Sequence, residues 1–371
     1  MSIFPNLLSP FQIKDIEFRN RIFSTGHETL LVTGGIPDEA LAAYHEARAK
    51  GGVGLIVTEA TTVHESAFFN TAMPVGYRRD CIPGFRLVAD AIHRHGSVVF
   101  GQLYHPGGEM MGMWPDGSRP ICWAPSANDH ERYLVTSRAM SDAMIHSVIA
   151  GYAATAANLV EAGYDGVEIV ASHGYLPAQF LSAKLNRRED QWGGSDENRQ
   201  RFLMEVARAV RAAIPTGAIL GMRISLGEKT QKGMNREEAM GAILTLQEAD
   251  LIDYLNVTVG SSGTSRANDF VIPPMTKEAG FMTAEAGDVK PSVTLPVFLA
   301  GRFNQPQPAE QAIASGAADM VGMTRAQICD PELANKLIAG RADDVRACIA
   351  CNQACVGHLY FGAPISCIQY P

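Results

Sequence analysis

Eight short apolar runs recur along this chain of 371 residues, and stretches with helical periodicity separate most of them. A chain that alternates buried strands with helices folds either as an open doubly wound sheet or as a closed (β/α)8 barrel. This alternation constrains the fold more than any other feature of the sequence. The runs lie at residues 21–26, 53–60, 97–105, 166–170, 219–225, 253–260, 297–302 and 320–325.

The helix candidates lie at residues 38–50, 84–95, 146–162, 199–214, 236–249, 308–315 and 331–339. Several are followed by glycine, as expected at a left-handed helix C-terminus. A doubly wound sheet normally carries a G-x-G-x-x-G motif after its first strand, and the sequence has no such motif. We therefore predict an α/β fold, a (β/α)8 TIM barrel, over residues 1–340.

Two connections are longer than the others and follow the third and sixth strands, at residues 106–142 and 261–293. In a barrel, the loops at the carboxyl ends of the strands surround the active site. The last segment, residues 341–371, fits no barrel element. It holds four cysteines close together in sequence, which predict a C-terminal iron–sulfur-binding extension.

Composition excludes several classes of protein. The chain is 46% hydrophobic with a mean hydropathy of −0.01, which is typical of a folded enzyme and not of a disordered chain. A net charge of −8 gives no sign of the excess of basic residues that nucleic-acid binding usually requires. No apolar run is long enough to span a membrane, and the N-terminus lacks the pattern of a signal peptide. We therefore expect a cytoplasmic protein with neither nucleic-acid nor membrane partners.

Four of the seven cysteines form the pattern Cys348-x2-Cys351-x3-Cys355-x11-Cys367. Four thiolates this close in sequence can bind one metal centre. The three-plus-one spacing favours a [4Fe–4S] cluster over zinc, which usually takes two C-x2-C pairs. Zinc and the absence of any metal are the alternatives. The remaining three cysteines are interpreted as buried small hydrophobes.

Several motifs together resemble the Old Yellow Enzyme family. They are FRNRI (18–22), HGYLPAQFL (173–181), NRREDQWGG (186–194), ENR (197–199), VGMTR (321–325) and CNQAC (351–355). The resemblance covers essentially the whole chain. It is to the iron–sulfur branch, which includes trimethylamine dehydrogenase, dimethylglycine and N-methyl amino acid demethylases, and bacterial 2,4-dienoyl-CoA reductase.

The resemblance implies FMN at the carboxyl-end mouth of the barrel. Arg223 is expected beside the N1 and O2 atoms of the flavin, since a guanidinium stabilises the anionic reduced form. Attachment of the flavin in trimethylamine dehydrogenase needs a cysteine where this chain has Glu28, so FMN is expected to be non-covalent. By matching position, the cofactor-binding residues are Thr25, Gly26, Ala60, Gln102, Arg223, Gly301, Arg302, Gly322 and Arg325.

His173 and Tyr175 are the first catalytic candidates, because they leave the fourth strand at the mouth. The family often pairs His173 with another His or Tyr, and this chain has Val170 there. The sixth loop also lacks the histidine of the dienoyl-CoA reductases. Asp269 is the third candidate, as the acidic group that amine-oxidising relatives place in this loop. Aromatic residues on the mouth loops, predicted either to cage a methylated ammonium or simply to pack, are Tyr104, Trp114, Trp123 and Phe270.

From these residues we predict oxidative N-demethylation of a small methylated amine or amino acid. One alternative is an NAD(P)H-dependent ene reductase of the 2,4-dienoyl-CoA type, and another is an electron-relay subunit. The implied partners are a small-molecule substrate and a protein or domain that exchanges electrons, because relatives continue into a dinucleotide-binding half beyond the fourth cysteine. The sequence leaves open whether the chain forms a homo-oligomer.

Overall fold

The computed structural model describes residues 3–67, 70–110, 112 and 116–371. Eight parallel strands close into a barrel, which confirms the predicted TIM barrel. In order around the barrel, the strands are β3 (Ile22–Ser24), β4 (Leu55–Thr62), β5 (Val98–Tyr104), β8 (Gly166–Ala171), β9 (Ile219–Ser225), β10 (Tyr254–Thr258), β11 (Val297–Ala300) and β12 (Met320–Gly322).

Helices connect consecutive barrel strands, except for the last two helices, which follow the eighth strand. They are α1 (Glu39–Lys50), α2 (Ile82–His93), α3 (Asp142–Glu161), α4 (Leu176–Leu181), α5 (Asp196–Ala213), α6 (Arg236–Glu248), α7 (Ser265–Val271), α8 (Thr283–Val289), α9 (Pro306–Ala314), α10 (Thr324–Cys329) and α11 (Leu333–Ile338). Short α4, α7, α8 and α10 were not predicted, since a six- or seven-residue helix shows too little periodicity.

Side-chain caps fix where the longer helices begin. Ser141 and Ser195 accept hydrogen bonds from the first turns of α3 and α5. Asn235 and Glu238 form a reciprocal capping box at α6. The sequence placed α3 and α5 three to four residues too late, because it followed apolar spacing and overlooked these caps.

Large apolar side chains fill the barrel at its amino end. Phe100, Tyr254 and Phe298 are buried there, with the Tyr254 and Phe298 ring centroids 4.3 Å apart. A hairpin of β1 (Phe11–Ile13) and β2 (Ile16–Phe18) packs Phe18 against this cluster. The hairpin was not predicted; it closes the amino end of the barrel and leaves the carboxyl end as the only open mouth seen in the described residues.

The two long connections lie at the carboxyl ends of the strands, as predicted. The first contains the paired strands β6 (Trp123–Ala124) and β7 (Arg138–Ala139), and the second contains α7 and α8. The tail after α11 has short turns and the four-residue helix α12 (His358–Phe361). α3 is long and apolar enough to meet the composition of a membrane span, but it packs against the barrel as a partly buried core helix.

Candidate active site at the barrel mouth

One cavity opens at the carboxyl ends of the strands, and it gathers most of the predicted site residues. His173 and Tyr175 line it. So do all nine predicted cofactor residues, which are Thr25, Gly26, Ala60, Gln102, Arg223, Gly301, Arg302, Gly322 and Arg325. Residues from seven different strand ends thus meet at one place, as the barrel topology requires.

Three arginines on the cavity wall form what we name the arginine cluster: Arg223, Arg302 and Arg325. The Nε atoms of Arg223 and Arg302 are buried and have no hydrogen-bond partner among the described residues. Arg325 donates to the carbonyl of Pro273 at 2.7 Å. Buried guanidinium groups with unused donors are costly without an anion, so this part of the cavity is built to receive one.

A buried carboxylate inside the barrel orients Gln102. Gln102 Nε2 donates to Glu168 Oε1 at 2.7 Å, and Tyr254 and Asn256 donate to Glu168 Oε2 at 3.0 and 2.8 Å. Gln102 Oε1 lies close to Gly26, since a Cβ added to Gly26 would be 2.6 Å from this oxygen. Gln102 therefore presents a fixed amide edge to the cavity. Glu168 was not predicted, although a charged residue inside a buried strand is a signal that could have found it.

His173 has a strained backbone and a neutral ring. Its φ is +64°, and its ring stacks on Tyr175 with centroids 5.7 Å apart. Nδ1 lies 2.5 Å from Ser172 Oγ. Burial, aided by the charge of Arg223, lowers the pKa of His173 well below its ordinary value. A neutral imidazole keeps one ring nitrogen as an acceptor, which can take a hydrogen from a partner in the cavity.

A second group of residues, which we name the carboxylate cluster, consists of Glu28, Glu109, Tyr133 and Tyr175. All four line the cavity. Burial, and next the carboxylate of Glu59, raises the pKa of Glu28 well above its ordinary value. Burial likewise raises the pKa of Glu109, while its hydrogen bond with His130 opposes the shift. Glu109, His130 and Tyr133 were not predicted, because they lie in an irregular loop without a motif.

The other predicted site residues belong to neither the arginine cluster nor the carboxylate cluster. Asp269 lies on the exposed side of α7 and does not line the cavity, whereas its neighbours Asn268 and Phe270 do. Its catalytic role stays a prediction without geometric support. Tyr104 is buried behind Tyr175, with ring centroids 4.7 Å apart. Trp123 packs against the apolar core, and Trp114 lies outside the described residues.

All four tail cysteines, Cys348, Cys351, Cys355 and Cys367, are free thiols that line one small pocket. Cys329 lines it as well. Within the described ranges, no group of three or more His, Cys, Asp or Glu side chains is assembled as a ligand set for a metal ion. The cluster therefore stays a prediction. The three cysteines outside the tail, Cys81, Cys122 and Cys329, are buried as expected.

The cysteine pocket and the main cavity share part of their walls. Arg325, Ile328 and Cys355 line both. Asn352, which has a left-handed φ of +58°, also accepts a hydrogen bond from Arg325. The tail is thus held directly against the residues that line the barrel mouth.

Comparison with known proteins identifies the family. Residues 6–344 match the model of the NADH:flavin oxidoreductase / NADH oxidase family. The chain is 34% identical over 366 residues to a "Probable N-methylproline demethylase" of Rhizobium meliloti (strain 1021), covering 98% of this chain and 53% of the relative. It is 32% identical over 370 residues to the N,N-dimethylglycine/sarcosine dehydrogenase of Chromohalobacter salexigens, covering 99% and 53%. The chain spans about half the length of these curated relatives.

Two solved structures are also similar. A 2-naphthoyl-CoA reductase complex superposes with a TM-score of 0.92 at 28% identity, covering 100% of this chain and 57% of the other. Histamine dehydrogenase from Rhizobium sp. 4-9 superposes with a TM-score of 0.86 at 27% identity, covering 99% and 52%. The chain therefore belongs to the NADH:flavin oxidoreductase / NADH oxidase family and is a flavin-dependent oxidoreductase built on a TIM barrel.

Proposed function

We propose that this protein oxidatively removes a methyl group from a small methylated amine or amino acid, of the N-methylproline, dimethylglycine or trimethylamine class. The observation that carries the proposal is that neutral His173 is accompanied by Val170, and not by a second polar ligand, at the mouth. Val170 is buried and apolar where a second ligand for a carbonyl oxygen would be needed to reduce an activated alkene. An amine needs no such pair, because only its protonation must be controlled.

The cavity fits non-covalent FMN. The unused donors of Arg223 and Arg302 suit a phosphate and the anionic edge of a reduced flavin, and the fixed amide of Gln102 suits a pyrimidine edge. Glu28 cannot form the thioether bond that a cysteine would. The nine residues that the sequence predicted for FMN all line this cavity, which supports their assignment. When bound, FMN would supply the two-electron acceptor of the reaction.

The tail fits a [4Fe–4S] cluster through the chemistry of its donors. Cys348, Cys351, Cys355 and Cys367 are free thiols around one pocket, and thiolates are the usual ligands of such clusters. We propose that residues 341–371 form this iron–sulfur-binding segment beside the barrel of residues 1–340. The cluster would supply a one-electron route to a partner protein or domain. Zinc is the alternative occupant.

The protein's own residues would act on the proton of the substrate. When His173 donates its Nδ1 hydrogen to Ser172, its Nε2 is free to accept a proton from an ammonium group. The neutral amine then loses a hydride equivalent from its methyl carbon and becomes an iminium. Water adds to the iminium, and formaldehyde and the demethylated amine leave. Tyr175, stacked on His173, would position the methyl group.

A substrate panel tests this function. FMN-loaded protein is mixed anaerobically with N-methylproline, dimethylglycine or trimethylamine, and flavin absorbance and formaldehyde are measured. We expect bleaching and formaldehyde from at least one amine, and neither from proline or glycine, which lack the N-methyl group. A flavin that stays oxidised with every amine would contradict the proposal.

Reduction of an enoyl thioester is the second candidate, and a basic pocket beside the mouth favours it. Lys184, Lys229, Lys232 and Arg266 line this pocket, and Phe270 borders both it and the main cavity. Phosphates of a coenzyme A ester would fit there. Rapid reoxidation of the dithionite-reduced flavin by crotonyl-CoA, together with no response to amines, would establish this function. A response to neither substrate would leave the electron-relay function.

A further inference from the structure

The carboxyl group of Glu109 occupies a central place at the mouth. Glu109 follows β5 in the third loop, is 3% exposed and lines the main cavity. A Cβ on Gly174 would lie 2.9 Å from its Oε1, and one on Gly263 would lie 3.4 Å from it. The carboxylate therefore lies directly against the fourth and sixth loops. It is next to the backbone that joins His173 to Tyr175.

The hydrogen bonds of His130 fix which atom of Glu109 is available. The backbone N–H groups of Arg132 and Tyr133 both donate to His130 Nδ1, at 3.2 and 3.0 Å. Nδ1 is therefore an acceptor, so Nε2 carries the ring hydrogen and donates to Glu109 Oε2 at 2.8 Å. This bond orients the carboxylate and leaves Oε1 for another partner.

Oε1 has no hydrogen-bond partner among the described residues, although the side chain is almost fully buried. Arg132, whose charge lowers the pKa of Glu109, donates its hydrogen bonds to Tyr360 and to the carbonyl of Ser262 and not to Glu109. A buried carboxylate to which no cation donates a hydrogen bond is costly, and burial, the largest cause, raises the pKa of Glu109. Tyrosine rings line the same part of the cavity, and their faces attract cations.

We propose that Glu109, held by His130, is the binding site for the alkylammonium group of the substrate. This inference rests on the proposed function and deepens it, because it names the group that selects a cation. Glu109 is a binding residue and His130 is its positioning residue. The carboxylate gives the substrate ammonium a place beside His173, so that binding precedes loss of the proton.

The test measures binding of choline and of its neutral carbon isostere, 3,3-dimethyl-1-butanol, to FMN-loaded protein by calorimetry. The quaternary nitrogen of choline has no lone pair, so it binds without being oxidised. We expect choline to bind about tenfold more tightly than the isostere, which corresponds to about 1.4 kcal/mol. Glu109→Gln, which keeps the shape and can still accept from His130, removes this preference and leaves isostere binding unchanged.

Glu131→Gln is the matched control, because Glu131 is an exposed carboxylate on the same loop. It keeps the preference for choline. FMN occupancy checks that each variant is folded, and Glu109→Asp, which retains the charge, provides a second variant if the amide form is unstable. His130→Phe is expected to weaken choline binding but not isostere binding, since it frees the carboxylate to turn away. Equal choline binding by wild type and by folded Glu109→Gln would overturn the proposal.

The outcome separates this inference from the proposed function. If no methylated amine reduces the flavin but Glu109→Gln loses its choline preference, the ammonium site stands and demethylation falls. If amines reduce the flavin with the same KM in wild type and in Glu109→Gln, demethylation stands and the ammonium site falls.

Discussion

The arginine cluster and the carboxylate cluster face the same cavity but are built differently. Arg223 lies near the carboxyl end of strand β9, and Arg302 and Arg325 come shortly after the ends of β11 and β12. Glu109 and Tyr133, in contrast, come from the long third loop. The first cluster suits an anion and the second a cation. Under the proposed function, the barrel scaffold would hold the cofactor, whereas the loops would select the substrate.

The largest effect that tests this difference between the clusters is expected from removing His173, the proposed proton acceptor beside the carboxylate cluster. His173→Gln should lower the rate of flavin reduction by a methylated amine by about 100-fold, as expected for loss of a general base. FMN affinity should stay unchanged, because His173 is proposed to act on the substrate and not to bind the flavin. Stopped-flow reduction and equilibrium flavin binding measure the two quantities. An equal loss in both would show that the clusters are not functionally separate.

Arg302→Met tests the opposite cluster. Loss of a buried charge-assisted hydrogen bond to the phosphate should cost about 1.5–3 kcal/mol, or about 10- to 100-fold in FMN affinity. Reconstitution of the flavin-free protein with FMN, followed by fluorescence quenching, measures this affinity. The exposed arginine Arg266 provides the control variant, Arg266→Met, for which no change is expected. Unchanged FMN binding in Arg302→Met would remove the phosphate assignment.

Arg223→Met should have a smaller effect, on potential more than on binding. The guanidinium favours the reduced anion, so its loss should lower the two-electron midpoint potential by about 30 mV, equivalent to about 1.4 kcal/mol. Arg223→Lys, which keeps the charge, should restore most of it. Potentiometry of flavin-saturated protein measures the shift. An unchanged potential would count against placing Arg223 beside the flavin.

The smallest expected effect is the pH dependence of choline binding by the carboxylate cluster. Because the pKa of Glu109 is raised, the carboxylate form that binds a cation is lost as pH falls through that value. Choline affinity should therefore decrease on acidification, by at most tenfold per pH unit. The charged and titratable groups around Glu109 are His130, Arg132, Tyr104, Tyr133 and Tyr175. Glu109→Gln should show a flatter profile. A profile identical to wild type would assign the dependence to another of these groups.

The sequence predicted the barrel and the strand-end residues well, for a physical reason. Buried strands and capped helices leave periodic patterns, and a strand end is a fixed place in a barrel. Gln102, Arg223 and Arg325 were assigned through the resemblance to the family, which matched them to strand ends, and the structure brings them to one cavity. Their roles towards FMN are predictions still to be tested.

Loop residues escaped prediction because their contacts are long-range. Glu109 meets His130 across a loop of 21 residues, and nothing in the local sequence marks that pair. Asp269 shows the converse case: its position in the sixth loop suggested a role, which stays a prediction, whereas its neighbours on α7, Asn268 and Phe270, line the cavity. Successive residues of a helix point in different directions, so a shift of one residue changes which side chain faces the site.

One measurement tests the central claim most directly. FMN-loaded protein is mixed anaerobically, in a single turnover, with N-methylproline carrying either a CH3 or a CD3 group on nitrogen. The account predicts one formaldehyde per flavin reduced, and slower reduction with CD3 because the methyl C–H bond breaks. Formaldehyde far below one per flavin, or identical rates for both isotopes together with rapid oxidation of the reduced flavin by crotonyl-CoA, would contradict it.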